Sequence, residues 1–196
     1  MSRPPILVLA LAGAFLLLVA SLVIGSFTTP EFPPYAVTVP QPAPVGDSIV
    51  GPGTYTLDAS AGDGWRRFDF ARNAVVDSGS WDIAFRRHHL IAAPGAGIAD
   101  LGAVAFDSVR EVPDAGGRYA PTEFERDTVN PGVGKWYAYS MLSHLLKPKG
   151  HVYAVRTADG HYAKLEILAY YCRDVGAACY TVRYAFQGDG SRRVAK

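Results

Sequence analysis

Few residues of this chain combine the type and spacing that chemistry needs, and the stretch KWYAYSMLSHLLKPKG, residues 135–150, holds two of them. Met141 offers a thioether and His144 an imidazole three positions on, after alternating aromatics that read as a strand. A chain that turned helically past Met141 would bring the two to one face, since residues i and i+3 lie together on a helix. Methionine also fills gaps in cores, so the pair reads either as ligands or as packing at a strand end.

The other donors converge less. His88 and His89 are adjacent in a predicted strand, which sends their side chains to opposite faces and keeps them from sharing one metal. His151 and His161 fall at the two ends of a predicted hairpin, several strand residues apart. PGAGIADLGA contains G-x-G, but Asp100 stands where a dinucleotide fingerprint needs its third glycine, so the stretch reads as a flexible loop. No G-x-S-x-G elbow is present, and Glu123 and Glu125 do not form a recognisable acid and base pair. A catalytic role is not expected.

Cys172 and Cys179 are the two cysteines, close together in YYCRDVGAACYT. Outside the cytoplasm they are expected to form a disulfide across a short loop, and two cysteines alone cannot build a structural zinc site. That they lie outside follows from the N-terminus. Residues 6–27, ILVLALAGAFLLLVASLVIGSF, carry no charge and are long enough as a helix to cross a bilayer. A cleavable signal peptide is the rival reading, with Val19 and Ser21 as small residues before the cut, but its apolar region is ordinarily shorter. Arg3 precedes the run and no Lys or Arg follows it until Arg66, which leaves the N-terminus cytoplasmic and exports the rest.

Next comes a spacer, residues 28–53, with prolines at 30, 33, 34, 40, 42, 44 and 52. Such density favours a semi-rigid extended chain, about 80 Å long at about 3.1 Å per residue. The spacer reads as a tether or as a strap along a neighbouring membrane protein. Residues 54–196 form the third part. Across the whole chain 19 Lys and Arg balance 18 Asp and Glu, and the basic residues are scattered in pairs, so no stripe exists to neutralise nucleic-acid phosphates.

That third part alternates apolar and polar residues in short segments, as in TYTLDA, GWRRFDF and WDIAFRR, with further predicted strands at LGAVAF, KWYAYSM, HVYAVRT, HYAKLEILAYY and CYTVRYAFQ. In RTADGHYAKLEIL, Asp159 and Gly160 fit a two-residue turn, which would pair Ala154 with Leu165 and Val152 with Ile167 on one apolar face. Tyr153 and Val155 would then oppose Glu166 and Lys164 on the other. A short helix around residues 121–127 is the one helical segment expected after the anchor. The predicted class is all-β, an antiparallel sandwich or open barrel preceded by one transmembrane helix.

Trp65, Phe68 and Phe70, then Trp81, Asp82 and Ala84, then Asp159, Gly160, Ala163 and Lys164, and finally Tyr180 and Tyr184 together resemble the HmuY family of bacterial haem-binding proteins in order and spacing. The resemblance covers most of residues 54–190. It implies an all-β extracytoplasmic domain that holds haem between two axial side chains. One family ligand lies in a run resembling W-x-x-F-S-H, and here Trp136 to Met141 places a methionine at that position. A thioether ligates haem iron and raises its reduction potential relative to two histidines. The second ligand belongs to the preceding connection, residues 111–134, which has neither histidine nor methionine and offers Tyr119 as an oxygen donor.

Two functions are therefore expected. The first is an accessory or scaffolding subunit of a membrane complex, touching its partner through the helix and the spacer, single-pass in a bacterial inner membrane with its C-terminal domain in the periplasm. The alternative is a haem or tetrapyrrole binder with Met141, His144 or Tyr119 as ligand.

Overall fold

The computed structural model describes residues 5–27, 31–41, 48–116, 118–124 and 128–195. Two units can be distinguished, one of residues 1–31 with 138–147 and one of residues 32–137 with 148–196. In the first, α1 (Ile6–Phe27) takes up the whole charge-free run and buries none of its side chains. It is long and apolar enough to cross a membrane.

The second unit is a β-sandwich. Its larger sheet orders β1 (Ile49–Asp58), β11 (Gly176–Gln187), β10 (Tyr162–Cys172), β9 (Val152–Arg156) and β6 (Gly97–Asp100). A second sheet orders β3 (Ala74–Val76), β2 (Arg66–Asp69), β4 (Ile83–Arg86) and β5 (His89–Ala92). Every pairing within both sheets is antiparallel. Strands β2 and β4 supply the contact between them: Phe68 of the F-x-F stretch meets Tyr55 and Tyr184 edge-on at 4.9 and 5.4 Å, and Phe85 of β4 meets Tyr180 at 4.8 Å. Aromatic pairs of this geometry add about 0.5–1.5 kcal/mol each beyond the area they bury. A two-stranded ribbon, β7 (Tyr137–Tyr139) and β8 (Leu146–Pro148), completes the strands among the described residues.

Several local expectations are corrected. The β9–β10 hairpin has a three-residue loop, Ala158 to Gly160, closed by the Thr157 N–H donating to the His161 carbonyl at 2.9 Å and the Gly160 N–H to the Thr157 carbonyl at 3.1 Å. Gly160 takes φ +90°, the position this loop class reserves for glycine, and the Thr157 hydroxyl donates to the Asp159 carboxylate. The register is thus one residue away from the predicted one, with Ala154 opposite Lys164 and Tyr153 opposite Leu165. One residue exchanges the faces of one strand relative to the other.

The face that carries Lys164 is not solvated either. Lys164 is 2% exposed, and its Nζ donates to the carbonyls of Phe106 and Val109 at 2.9 and 2.7 Å. LGAVAF, expected as a strand, begins the cover, residues 101–109, that supplies them. Asp100 accepts from the Gly102 N–H at 2.7 Å and turns the chain out of the sheet, and a single 3-10 turn at Phe106–Ser108 lays it over the outer face. The expected glycine loop is instead strand β6, with Ile98 opposite Val155 on one side and hydrogen-bonded to Ala120 on the other. Of the helix expected around residues 121–127, the described part is extended and bridges Glu123 to Val129; residues 125–127 lie outside the described residues.

The spacer also departs from a free tether. Its residues 32–41 belong to the β unit, where Phe32 stacks on Tyr171 at 5.1 Å and nearly parallel planes. The Thr38 N–H donates to the Thr56 carbonyl, and the Thr56 N–H donates to the Thr38 hydroxyl, at 2.8 and 2.9 Å. β1 is an edge strand, and unpaired edge groups recruit an extended neighbour. The β domain proper begins at Ile49, inside the expected spacer, where Ile49 pairs with Gln187. Cys172 and Cys179 form the expected disulfide, their Cα atoms 5.6 Å apart.

Candidate functional site

The strand period expected through His88 and His89 breaks at Arg86. Because Arg86 pairs with His89, Arg87 and His88 form the turn between β4 and β5, and Arg87 adopts φ +51°. The Arg87 N–H is held by the Ala59 carbonyl at 2.8 Å. A turn residue does not obey the alternation of a strand, so the two imidazoles come together, ring centroids 4.1 Å apart and tilted by 36°. This corrects the expectation that they face opposite ways.

Behind them stands an aromatic wall. The Trp136 indole N–H donates to the His88 carbonyl at 2.9 Å, and Tyr137 meets the His88 ring edge-on at 6.0 Å. Trp136 is itself buried against Tyr170 and Tyr180, both at 5.3 Å. The turn is therefore tied to the sandwich core through one indole.

The opposite wall is the end of the connection, residues 129–135, and a polar clamp holds it. Asn130 is 3% exposed; its Nδ2 donates to the Ala120 carbonyl at 2.9 Å and to the Thr122 hydroxyl at 3.3 Å, and its Oδ1 accepts from the Gly132 N–H at 2.9 Å. Thr122 in turn both donates to and accepts from the backbone of Ala92 in β5, each at 2.8 Å. Gly132 packs against the Ile98 carbonyl so closely that no Cβ would fit. Close backbone approach of this kind requires glycine.

Between these walls lies a cavity of 360 Å³, bordered by His88, His89, Leu90, Pro131, Lys135 and Tyr137. That volume falls within the range of small-molecule and cofactor sites, which are apolar hollows with a few placed polar groups. Burial lowers the His89 pKa below its ordinary value of 6.5, and the positive charges of His88 and Arg86 lower it further. A neutral imidazole keeps the lone pair that a metal needs. A wider, shallow hollow of 740 Å³ runs along residues 108–114, but its Arg192 guanidinium already pairs with Glu111.

The residues predicted from the sequence lie elsewhere. Met141 is 68% exposed on the turn between β7 and β8. That turn does wind helically, with the His144 N–H donating to the Ser140 carbonyl at 2.8 Å, and His144 takes φ +55° and places Nδ1 in hydrogen-bond contact with the Tyr139 hydroxyl. Tyr119 donates its hydroxyl to the Pro113 carbonyl at 2.8 Å, and burial raises its pKa, which keeps the phenol protonated. His151 pairs with Asp100 and His161 with Asp159, both at 2.9 Å. None of these borders the cavity. The clamp residues Thr122 and Asn130 carried no signal in the sequence.

Neither a family model nor a curated protein matches this sequence. Solved structures do match. The apo HmuY analog of Tannerella forsythia superposes with a TM-score of 0.58 at 16% identity, over 71% of this chain and 97% of its own. A Bacteroides vulgatus protein assigned as HmuY-like and heme-binding gives 0.56 at 19% identity, over 67% and 90%. A Bacteroides fragilis protein assigned as a lipoprotein gives 0.57 at 15%, over 73% and 91%. The chain has the HmuY-like fold, an antiparallel β-sandwich, here with an apolar N-terminal helix.

Proposed function

We propose that this protein is an exported haem- or tetrapyrrole-binding protein, held by α1 at the outer face of a bacterial inner membrane. The observation that carries the reading is the His88–His89 pair on the wall of the 360 Å³ cavity, in a fold whose solved relatives include a protein assigned as heme-binding. The donor set suits such a group: an imidazole for the iron, Tyr137, Leu90 and Pro131 for the macrocycle's faces, and the Lys135 ammonium for its carboxylates. When bound, the group would supply an iron whose reduction potential the axial ligand tunes. The connection lacks a histidine or methionine of its own, and the β4–β5 turn brings two imidazoles against its end.

An accessory-subunit role finds less support. It draws on the anchor, on the second ligand missing from the connection and on a spacer free to run along a partner, and residues 32–41 of that spacer are docked on the chain's own domain. The role proposed is one of binding.

The test is a haemin titration of the full chain in mild detergent, followed by absorption in oxidised and reduced states. A saturable, stoichiometric spectrum that is lost in the His88→Ala, His89→Ala double variant and retained in Met141→Ala is expected. No saturable spectrum from the folded protein would overturn haem binding. Loss in Met141→Ala alone would move the ligand to the β7–β8 turn.

A further inference from the structure

The first unit joins two segments far apart in sequence, α1 and the tip of the β7–β8 ribbon. The Leu142 carbonyl oxygen lies so close to Gly25 that a Cβ there would stand 2.5 Å from it. Leu22 and Gly25, three residues apart and so on one helix face, are the helix residues that are partly covered. Gly25 is two residues from the end of α1 at Phe27, about 3 Å along the axis at the helical rise.

A tip seated at that level exposes apolar side chains. Met141 is 68% exposed, Leu142 60% and Tyr139 49%. A soluble face gains nothing from three such side chains within four residues, and exposed apolar surface concentrated in one place marks an interaction site. The end of a spanning helix coincides with the boundary between hydrocarbon and headgroups, where tyrosine is enriched. Lys147, exposed on the same ribbon, adds a positive charge that suits anionic headgroups.

We infer that the tip of the β7–β8 ribbon, Tyr139 to Leu142, inserts into the outer interface of the same bilayer that α1 crosses, with Met141 and Leu142 as the inserting side chains. The inference rests on the reading of α1 as a spanning anchor. It gives the chain a second, shallow membrane contact beside the helix, and it gives Met141 a lipid-facing role separate from the His88–His89 cavity.

The test uses the full chain in vesicles of mixed zwitterionic and anionic phospholipid. A single cysteine at Leu142 or, separately, at Phe15 carries an environment-sensitive fluorophore, while Cys172 and Cys179 remain in their disulfide. Quenchers placed near the headgroup or deep in the acyl chain read the depth. The expected result is a blue-shifted Leu142 label, protected from iodide and quenched more by the shallow probe, with the Phe15 label quenched more by the deep one. A Leu142 label open to iodide beside a deeply quenched Phe15 label would overturn the inference and leave the anchor standing. Labels quenched at neither position would overturn both.

Discussion

The His88 and His89 rings stand 4.1 Å apart, centroid to centroid, because the first belongs to a turn and the second begins a strand. Trp136 grips the backbone carbonyl of His88 at 2.9 Å, so the pair is positioned by the core of the sandwich. A site on a braced turn is more precise than one on a free loop.

The pH dependence of haemin binding follows from this pair. Burial, then the charges of His88 and Arg86, lower the His89 pKa below 6.5, and an imidazole must shed its proton to take a metal. Binding should therefore persist below the pH at which an ordinary histidine ligand is lost. An absorbance titration of the haemin complex from about pH 8 to about pH 5 reads the midpoint. A midpoint at or above 6.5 would count against His89.

Stability should respond to Asp82 in the opposite sense to most carboxylates. Burial pushes its pKa from 3.8 up to about 7, although the Phe70 N–H donates to Oδ2 at 2.8 Å and pulls the other way. The folded state holds the proton more tightly than the unfolded state, so the stabilisation is complete below about 3.8 and is lost as pH rises through about 7. The upper bound is of the order of 4 kcal/mol. Asp82→Asn does not titrate, and its stability relative to the parent should rise between these two pH values in urea unfolding. A flat difference would sink the argument.

The Asn130 clamp predicts a local cost. Asn130→Ala leaves the Gly132 N–H without its partner, at about 1–3 kcal/mol for a group left unsatisfied, and takes one of two donors from the Ala120 carbonyl, which keeps the Ile98 N–H at 3.0 Å. Denaturant unfolding should show a loss of about 1–3 kcal/mol, accompanied by weaker haemin binding as the cavity wall loosens. Unchanged stability would mean that the connection is held by other contacts.

Docking of residues 32–41 predicts protection from protease. Phe32→Ala removes the stack on Tyr171, worth about 0.5–1.5 kcal/mol beyond buried area. Chymotrypsin should then cut after Tyr35 several-fold faster, read by mass spectrometry, while the β domain stays intact. Equal rates would show that Thr38 alone holds the segment against β1.

Patterns local in sequence were enough to determine a good part of this protein. The uncharged run of residues 6–27 reads as one apolar helix because nothing in it could stay in water, and the period-two segments read as antiparallel strands because each must bury one face. The two cysteines read as a disulfide because seven positions of chain can close on themselves. Other features turned on contacts between distant segments. The hairpin register depended on a loop of three residues rather than two, which the Thr157 and Asp159 side chains and Gly160 close together. GIAD became a strand and LGAVAF a cover because Ala120 and Val155 claim Ile98 while Lys164 needs the carbonyls of Phe106 and Val109. The candidate site was the least legible. Its two imidazoles meet only because Arg86 pairs with His89, and its far wall stands only because Asn130 and Thr122 tie the connection to β5, through bonds between Thr122 and Ala92, 30 residues apart along the chain. Periodicity records which face of a segment is buried; which segments meet, and at which residue, is decided by hydrogen bonds that form only once the chain has folded.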